Sequence, residues 1–365
     1  MKIALVTLGF LLGSLCDARA DEVVISVPKG VTPPQVPADN PLTAAGVELG
    51  KKLYFDSRLS KDDTISCATC HDPRTGFAEH KPVSDGVAGG RGNRNAPTVM
   101  NAAFLPEQFW DGRAPSLEAQ AVGPIINPVE MAMPDHPAVE RKLAALAEYP
   151  PLFQKAFGDP KVTIDRIGKA LASFERTLIS LDAPIDRFLG GDATAISDSA
   201  KRGWVLYNGK ALCVACHAHV PASPLFSDGK YHNLGVAAKP TEFLALAKQL
   251  AQRPADFEKL ANAPGVEELG RFAVSRNPQD LGAFKTPHLR NIALTAPYMH
   301  DGSEETLAEV IEYYDRGGNK NPWLDPNMRP LGLTAQEKAD LVALLETFTS
   351  TDLARFDELG KLMPE

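Results

Sequence analysis

Two short cysteine motifs are the residues of this sequence with the most specific chemistry. Residues 67–71 read Cys-Ala-Thr-Cys-His, and residues 213–217 read Cys-Val-Ala-Cys-His. A C-x-x-C-H run attaches a c-type haem: the thiols add to the porphyrin vinyl groups, and the histidine ligates the iron. A zinc ribbon would place its cysteine pairs within about 15 to 20 residues of each other and would not need the trailing histidine twice. The sequence therefore predicts two covalently bound haem c groups.

The haem-binding residues follow from these motifs. The predicted attachment points are Cys67, Cys70, Cys213 and Cys216, and the predicted proximal iron ligands are His71 and His217.

Cys16, the one cysteine outside the two motifs, lies in a segment with the pattern of an export signal. Lys2 precedes an apolar run over residues 3–15, and Ala18-Arg19-Ala20 follows, which is the order of a secretory signal peptide. We expect cleavage after Ala20, residence in the periplasm and no membrane insertion after cleavage. Cys16 would leave with the signal peptide, so we expect no disulfide in the mature chain even though the periplasm would permit one.

The charge and the length of the chain narrow the choice of function. The 365 residues carry a formal net charge of −8, which argues against nucleic-acid binding because that function needs a basic face. An acidic surface favours a basic or dipolar protein partner. The chain is long enough for two domains, each with its own core.

Helical spacing surrounds the motifs. Apolar periodicity predicts a helix over residues 43–55 and further helical segments over 139–157 and 163–181. Residues 21–41 are rich in valine and proline without periodicity and are expected to form an extended arm. Residues 86–92 contain four glycines, and this composition predicts an irregular loop.

The second half of the chain repeats the spacing of the first. Thirteen residues after Pro97 stands Trp110-Asp111-Gly112, and thirteen residues after Pro287 stands His300-Asp301-Gly302. Internal duplication of one haem domain is the simplest explanation. We therefore predict a mainly α fold made of two haem domains, with the N-terminal domain at residues 21–184 and the C-terminal domain at residues 185–365.

The repeat also predicts different ligands for the two irons. The same register pairs Tyr314 in the second half with Pro124 in the first. A tyrosine oxygen can ligate haem iron, whereas a proline side chain cannot. The second haem is then closed by His217 and Tyr314, and the first is open to peroxide above His71. Tyr313 would be the ligand if the register slipped by one residue. Neighbouring residues on a helix point about 100° apart, so only one of the two tyrosines can face the iron, and the repeat selects Tyr314.

Together these motifs resemble the bacterial dihaem cytochrome c peroxidase family, and within it the MauG-like branch, over essentially the whole mature chain. Three further segments carry the resemblance: Arg-Asn-Ala-Pro-Thr at 94–98, Phe-Trp-Asp-Gly-Arg-Ala at 109–114 and Thr-Ala-Pro-Tyr-Met-His-Asp-Gly at 295–302. The resemblance implies a mostly helical pair of cytochrome-c-like domains with one calcium ion at their interface. Tyr314 stands where the family's peroxidases generally have methionine, and this difference marks the MauG-like branch.

A second departure from the ordinary peroxidases lies in the glycine-rich loop. Those enzymes carry a histidine there that blocks the first haem until the enzyme is half reduced, and residues 84–92 of this chain contain none. His80 falls earlier and is expected to be a surface residue. The resemblance therefore implies that the first haem is open in the resting ferric state.

The resemblance also assigns roles to individual residues. Trp110 corresponds to the tryptophan that relays electrons or holes between the haems, although a core aromatic is the alternative. Gln120 and Glu130 correspond to the catalytic pair above the open iron, and the apolar neighbours of Glu130 favour proton transfer over a solvated surface role. The oxygen atoms implied for calcium belong to Asn95, Thr295 and Pro297.

The implied activity is hydrogen-peroxide-dependent oxidation of tryptophan residues in a partner protein, at long range and through a high-valent dihaem state. In the MauG branch this reaction completes the tryptophan tryptophylquinone cofactor of methylamine dehydrogenase. A related branch, typified by MbnH, oxidises a tryptophan of a copper-binding partner. Alternatives are a peroxidase that receives electrons from cytochrome c or a cupredoxin, and a non-catalytic electron carrier.

Overall fold

The computed structural model describes residues 22–220, 224–237, 244–245, 247–248 and 266–363. The expected signal peptide lies outside the described residues. The regular structure is mainly helical, which confirms the predicted fold class. The helices are α1 (Ala44–Tyr54), α2 (Cys67–Cys70), α3 (Leu117–Ile126), α4 (His136–Ala144), α5 (Tyr149–Phe157), α6 (Ile164–Glu175), α7 (Pro184–Leu189), α8 (Asp198–Asn208), α9 (Phe272–Ser275), α10 (Leu307–Asp315), α11 (Ala335–Glu346) and α12 (Asp357–Gly360). Two short strands, β1 (Tyr231–His232) and β2 (Phe284–Lys285), pair antiparallel, with Tyr231 opposite Lys285.

The predicted first helix is confirmed, and its ends have clear local causes. Thr43 is the N-cap of α1, because its hydroxyl oxygen accepts a hydrogen bond from the backbone N–H of Gly46. Leu49 and Leu53 are buried on the side that faces α6. The rings of Tyr54 and Phe174 meet edge to face with their centroids 5.1 Å apart. Helices α1 and α6 thus contribute to the buried apolar core of the first half.

The second half contains an equivalent helix pair, α8 and α11. Glycine permits the close approach in both halves: a Cβ atom on Gly50 would lie 1.8 Å from the carbonyl oxygen of Ala170, and one on Gly203 would lie 2.1 Å from that of Asp340. Only a residue without a side chain allows helix backbones to pack at this distance. Each half therefore has its own buried apolar cluster, one over residues 49–178 and one over 183–348.

Two asparagines in matched positions connect segments that lie far apart in the chain. Asn101 and Asn291 both have left-handed backbones and are fully buried. The side chain of Asn101 exchanges two hydrogen bonds with the backbone of Ser180. The side-chain oxygen of Asn291 accepts from the N–H of Ser350, and its amide donates to the hydroxyl of Ser180. The end of the chain also returns to the first cluster, where Phe356 packs against Phe77.

The helical segments predicted after the glycine-rich loop are shorter in the structure. The segment over 139–157 is two helices, α4 and α5, because Pro150 and Pro151 fit only in the first turn of a new helix. The segment over 163–181 ends at Glu175, and beyond it the N–H groups of Thr177 and Leu178 bond to carbonyl oxygens three residues back instead of four. In the glycine-rich loop, Val87–Gly89 forms one 3₁₀ turn.

Within the described ranges, no helix has the length and apolar character needed to cross a bilayer.

The close helix contacts make a stability prediction. Gly50→Ala and Gly203→Ala should each lower the free energy of unfolding by about 1–3 kcal/mol, because the new methyl group overlaps a backbone carbonyl. Denaturant unfolding of the haem-loaded protein measures the change. Glu48→Ala, at an exposed position of the same α1 helix, is the control and should change stability by less than about 0.5 kcal/mol. Equal stability of all three variants would contradict the packing described here.

Candidate active site

One continuous cavity lies between the two halves, and both cysteine motifs open into it. Each motif forms a single helical turn: the N–H of His71 donates to the carbonyl oxygen of Cys67 at 3.0 Å, and that of His217 donates to Cys213 at 2.8 Å. None of the four motif cysteines forms a disulfide. All four are therefore available for thioether bonds.

The motif histidines are oriented by backbone carbonyls. Nδ1 of His71 lies 3.3 Å from the carbonyl oxygen of Phe77, and Nδ1 of His217 lies 2.9 Å from that of Phe226. These contacts leave Nε2 as the ring nitrogen available to iron. Burial lowers the pKa of both imidazoles, which favours the neutral form that ligates metals.

A buried tyrosine supports each motif from below. The hydroxyl of Tyr54 donates to the carbonyl oxygen of His71 at 2.8 Å, and the hydroxyl of Tyr207 donates to that of His217. Both tyrosines are essentially unexposed. The carbonyl contacts above and these hydroxyl contacts below restrict each histidine at two points, which suits a residue that must hold an iron in one place.

The two adjacent tyrosines of α10 have different surroundings. Tyr314 lines the cavity together with His217 and the second cysteine motif, whereas Tyr313 does not line it. The hydroxyl of Tyr313 instead donates to the backbone carbonyl of Leu234 at 2.9 Å. Burial raises the pKa of the Tyr314 hydroxyl well above its ordinary value, so its phenolate form requires a cation nearby.

The matched position in the first half is Pro124, on α3. It also lines the cavity, beside the first cysteine motif, and so do Gln120 and Glu130. The side-chain amide of Asn127 donates to Oε1 of Glu130 at 2.6 Å, which fixes the direction of that carboxylate. The glycine-rich loop packs directly on this segment, since a Cβ atom on Gly86 would lie 2.1 Å from the carbonyl oxygen of Val129.

Trp110 lies at the junction of the two halves and borders the same cavity. Its indole Nε1 donates to the carbonyl oxygen of Asn95 at 2.9 Å. Its own carbonyl oxygen accepts from the N–H of Lys285 in the second half at 2.8 Å. The N–H of Asn95 in turn donates to the carbonyl oxygen of His300 at 2.8 Å, and the ring of His300 stacks on Phe284. Trp110 is thus held by both halves.

A buried ion-pair cluster holds the loop that carries Trp110. Asp111 is 1% exposed, and its carboxylate lies 2.6 Å from Arg94 and 3.2 Å from Arg113. Burial alone would raise the pKa of Asp111, but the two guanidinium groups outweigh it and lower the value to about 2. Arg271 from the second half donates to the backbone carbonyls of Asp111 and Gly112.

The three residues expected at a calcium site all border the cavity near Trp110. The side-chain amide nitrogen of Asn95 donates to the carbonyl oxygen of Lys81 at 3.0 Å, which points its side-chain oxygen elsewhere. Ala296 and Pro297 are joined by a cis peptide bond, and the hydroxyl of Thr295 donates to the carbonyl oxygen of Ile292. In the part of the chain that the structure describes, no group of three or more histidine, cysteine or acidic side chains is arranged around a metal position.

Two buried titratable residues of the cavity, Glu175 and Lys285, were missed from the sequence, and His288, for which an ordinary structural role is expected, also borders the cavity. Burial raises the pKa of Glu175 to about 8, lowers that of Lys285 to about 8 and lowers that of His288 to about 4. The only sequence signal was a charged residue inside an apolar segment, such as the glutamate of Ser173–Arg176. The expected surface residue His80 is exposed, and its Nε2 lies 3.0 Å from the carbonyl oxygen of Leu294.

The residues around the cavity fit two c-type haems. Each cysteine pair, neutral imidazole and orienting carbonyl is present twice, and the cavity between them is lined mainly by apolar side chains. Together the motifs supply thioether attachment and one axial nitrogen for each iron.

Comparison with known proteins agrees with this donor set. Residues 44–194 match the family model described as di-haem cytochrome c peroxidase. The cytochrome-c peroxidase IdrP1 of Denitromonas iodatirespirans is 38% identical over 89% of this chain and 87% of its own length. The chain belongs to the dihaem cytochrome c peroxidase family. It is a peroxide-dependent dihaem oxidoreductase.

The MauG branch of the family is equally similar. The methylamine utilization protein MauG of Methylorubrum extorquens is 40% identical over 87% of this chain and 82% of its own length. Among solved structures, a MauG-like protein associated with microbial copper homeostasis has a TM-score of 0.75 and 32% sequence identity, and the match covers 90% of this chain and 95% of that one. The dihaem peroxidase BthA of Burkholderia thailandensis, at 22% identity and a TM-score of 0.69, shares the fold.

The different surroundings of the two tyrosines lead to a test of ligation. Tyr314→Phe should change the absorption spectrum of the second haem, because it removes the oxygen atom that lines the cavity. Tyr313→Phe should leave that spectrum unchanged and lower the free energy of unfolding by about 1 kcal/mol, since it loses the hydrogen bond to Leu234. A spectral change in the Tyr313 variant alone would show that the ligand register is wrong.

Proposed function

We propose that this protein uses hydrogen peroxide to oxidise tryptophan residues of a partner protein at long range, as a periplasmic enzyme of the MauG-like branch. The observation that carries the proposal is Tyr314, which borders the cavity beside His217 at the position where Pro124 stands in the first half. An anionic oxygen ligand stabilises high-valent iron and lowers its potential, whereas methionine raises it. The second haem would then hold an oxidising equivalent and would be a poor acceptor of electrons from a small cytochrome.

The haem groups supply peroxide cleavage and storage of the two oxidising equivalents. The chain contributes an open approach to the first haem, because Pro124 offers no ligand atom. Glu130 is the proposed proton carrier: held by Asn127, it would take the proton from the near peroxide oxygen and deliver it to the far one. Gln120 lies on α3, before Glu130 in the chain, and would orient the peroxide by hydrogen bonding.

Trp110 is the proposed electron relay between the two haem sites. It is the aromatic residue that both halves hold, through Asn95 on one side and Lys285 on the other. Its hydrogen-bonded indole N–H keeps the ring in one orientation, which favours repeated electron transfer over rearrangement. A partner protein too large to enter the cavity would be oxidised through this relay and the second haem.

Two specific observations keep other substrates in view. The relatives named cytochrome-c peroxidase are about as similar as those named MauG, which supports a small electron donor such as cytochrome c or a cupredoxin as the alternative partner. The copper-homeostasis association of the MauG-like structure supports a copper-binding partner of the MbnH kind.

A peroxide-mixing experiment separates these functions. The fully oxidised protein, mixed with a stoichiometric amount of peroxide, should give an immediate and long-lived high-valent spectrum, because the first haem needs no prior reduction. Precursor methylamine dehydrogenase and reduced cytochrome c are then added separately. Mass spectrometry reports tryptophan oxidation in the first, and absorbance reports electron donation by the second.

Variants at α10 provide the matched comparison. Tyr314→Met should abolish oxidation of the precursor while the first haem still consumes peroxide. Tyr313→Phe is the control and should retain both reactions. Faster turnover with reduced cytochrome c than with any tryptophan-bearing partner, or a requirement for prior reduction, would identify the protein as an ordinary peroxidase instead.

One calcium ion is the third proposed cofactor, bound by oxygen atoms of Asn95, Thr295 and Pro297 together with water. Amide and carbonyl oxygens are ligands that calcium prefers. The site would share Asn95 with the Trp110 hydrogen bond, so the ion would stiffen the relay. Because no acidic side chain belongs to this proposed set, we expect moderate affinity.

Removing calcium tests this assignment. Treatment with a chelator should shift the tryptophan fluorescence and slow partner oxidation, and added Ca²⁺ should restore both. Asn95→Ala should lower the calcium content measured by elemental analysis, whereas Asn208→Ala, at an exposed position on α8, should leave it unchanged. Equal calcium content in both variants would contradict the site.

A further inference from the structure

Glu175 is a buried acid beside the first cysteine motif, and none of the roles assigned above uses it. It is the last residue of α6, is 4% exposed and borders the cavity. Burial is the main cause of the raised pKa of the Cys67 thiol, and the negative charge of Glu175 is the second cause. The same carboxylate contributes to the raised pKa of Tyr54, after burial and Cys67. Glu175 therefore lies close to the edge where the first haem is attached.

The nearest cation is committed to a different carboxylate. Nη1 of Arg176 lies 2.7 Å from Oε1 of Glu118, which also accepts from the side-chain amide of Asn40. Among the described residues, no side-chain hydrogen bond and no ion pair hold Glu175, and the residue borders the cavity instead. Buried polar groups in proteins nearly always have a partner, and a buried carboxylate without one is costly in free energy.

A structural role does not account for this arrangement. The inner face of α6 is otherwise built from residues such as Ala170, Leu171 and Phe174, and an apolar side chain would fill the position of Glu175 without desolvating an acid. A structural glutamate would bond to a neighbour, as Glu118 does. What remains is a proton-binding group next to a haem edge.

We propose that Glu175 takes up one proton when the first haem is reduced and releases it when that haem is oxidised again. In the forward step, one electron from a small electron-transfer protein, or from the chemical reductant of a titration, converts ferric to ferrous iron, and one proton from solvent converts the carboxylate to the carboxylic acid. The reverse step returns both. Loss of one positive charge from the haem raises the affinity of the nearby carboxylate for a proton, and low-dielectric surroundings strengthen this coupling.

The groups that face Glu175 set the pH range of this exchange. Burial raises its pKa to about 8; Arg176 on the same segment lowers the value, and Glu118 on α3 raises it. Tyr54 on α1 and Cys67 on α2 are the other titratable neighbours; burial raises the pKa of both, and thioether attachment removes the thiol of Cys67. Glu175 therefore exchanges its proton near and above neutral pH, where ordinary carboxylates stay ionised.

Redox titration of the two haems at a series of pH values tests the proposal. In the wild-type holoenzyme, the reduction potential of the first haem should fall as the pH rises, by up to about 59 mV per pH unit near pH 8. This is the change in potential that a tenfold change in the equilibrium constant causes in a one-electron couple. Glu175→Gln, a neutral variant of the same shape, should lose this slope. The second haem is the internal control, and its pH dependence should be the same in both proteins.

Two further measurements separate proton exchange from structural disturbance. The reduced-minus-oxidised infrared spectrum should show a carboxylic acid band in the wild type that is missing in Glu175→Gln. Glu175→Asp keeps a titratable group and should retain a pH slope in a shifted range, so it decides the question if the glutamine variant does not fold. Glu118→Gln should keep the infrared band, because Glu175 remains.

The proposal is overturned if Glu175→Gln keeps the wild-type slope at the first haem, or if the slope disappears equally from both haems. Haem propionates, which titrate in every variant, would be the source in the first case, and a change in the structure of the whole protein would be the cause in the second. These potentials are measured without peroxide or a partner protein. Failure here therefore leaves the proposed tryptophan oxidation untouched, and failure of that function leaves this proposal untouched.

Discussion

The backbone of Asn95 is the contact on which the arrangement of the two haem sites depends. Its N–H donates to the carbonyl oxygen of His300 in the second half, and its carbonyl oxygen accepts from the indole of Trp110 in the first. One peptide segment therefore fixes the position of the second half and the orientation of the aromatic ring between the sites. The buried cluster of Asp111 with Arg94 holds the same loop from the other side. An ion pair this deeply buried is costly to break, because either partner alone would be an uncompensated charge.

The two halves use the same local devices and differ where chemistry differs. A buried tyrosine under each motif, a left-handed asparagine and a glycine at the helix contact recur in equivalent positions. These features hold the cysteine motif and the packed helices of each half in place, and they do not depend on the residue at the matched cavity position. The side chains above the motifs are free to diverge, and they do: Pro124 faces the cavity in one half and Tyr314 in the other. One scaffold thereby supports two haem sites that have different side chains facing the cavity.

The cavity also gathers buried ionisable groups with unusual proton affinities. Lys285 and Glu175 both have pKa values of about 8, one lowered and one raised by the same cause, loss of water. Lys285 donates its backbone N–H to Trp110 and its ammonium group to the carbonyl oxygen of Glu107. Groups with pKa values this close to neutral can bind or release a proton under physiological conditions, and they are often found at functional sites.

The sequence by itself determined the covalent chemistry and the internal register. A C-x-x-C-H motif has one dominant meaning, and the offset that stays constant from Pro97 and Pro287 onward was enough to pair Tyr314 with Pro124 without coordinates. Helix existence followed from periodicity, but α4 and α5 were predicted as one segment, because the spacing of apolar residues is blind to where a pair of prolines restarts a helix. Only the tertiary structure decided which tyrosine of α10 borders the cavity, that Asn95 links Trp110 to His300, and that Glu175 borders the cavity without a hydrogen-bond partner in the described part of the chain. Those facts depend on contacts between residues far apart in the chain, and no local pattern encodes the loss of water that changes the proton affinity of a buried acid.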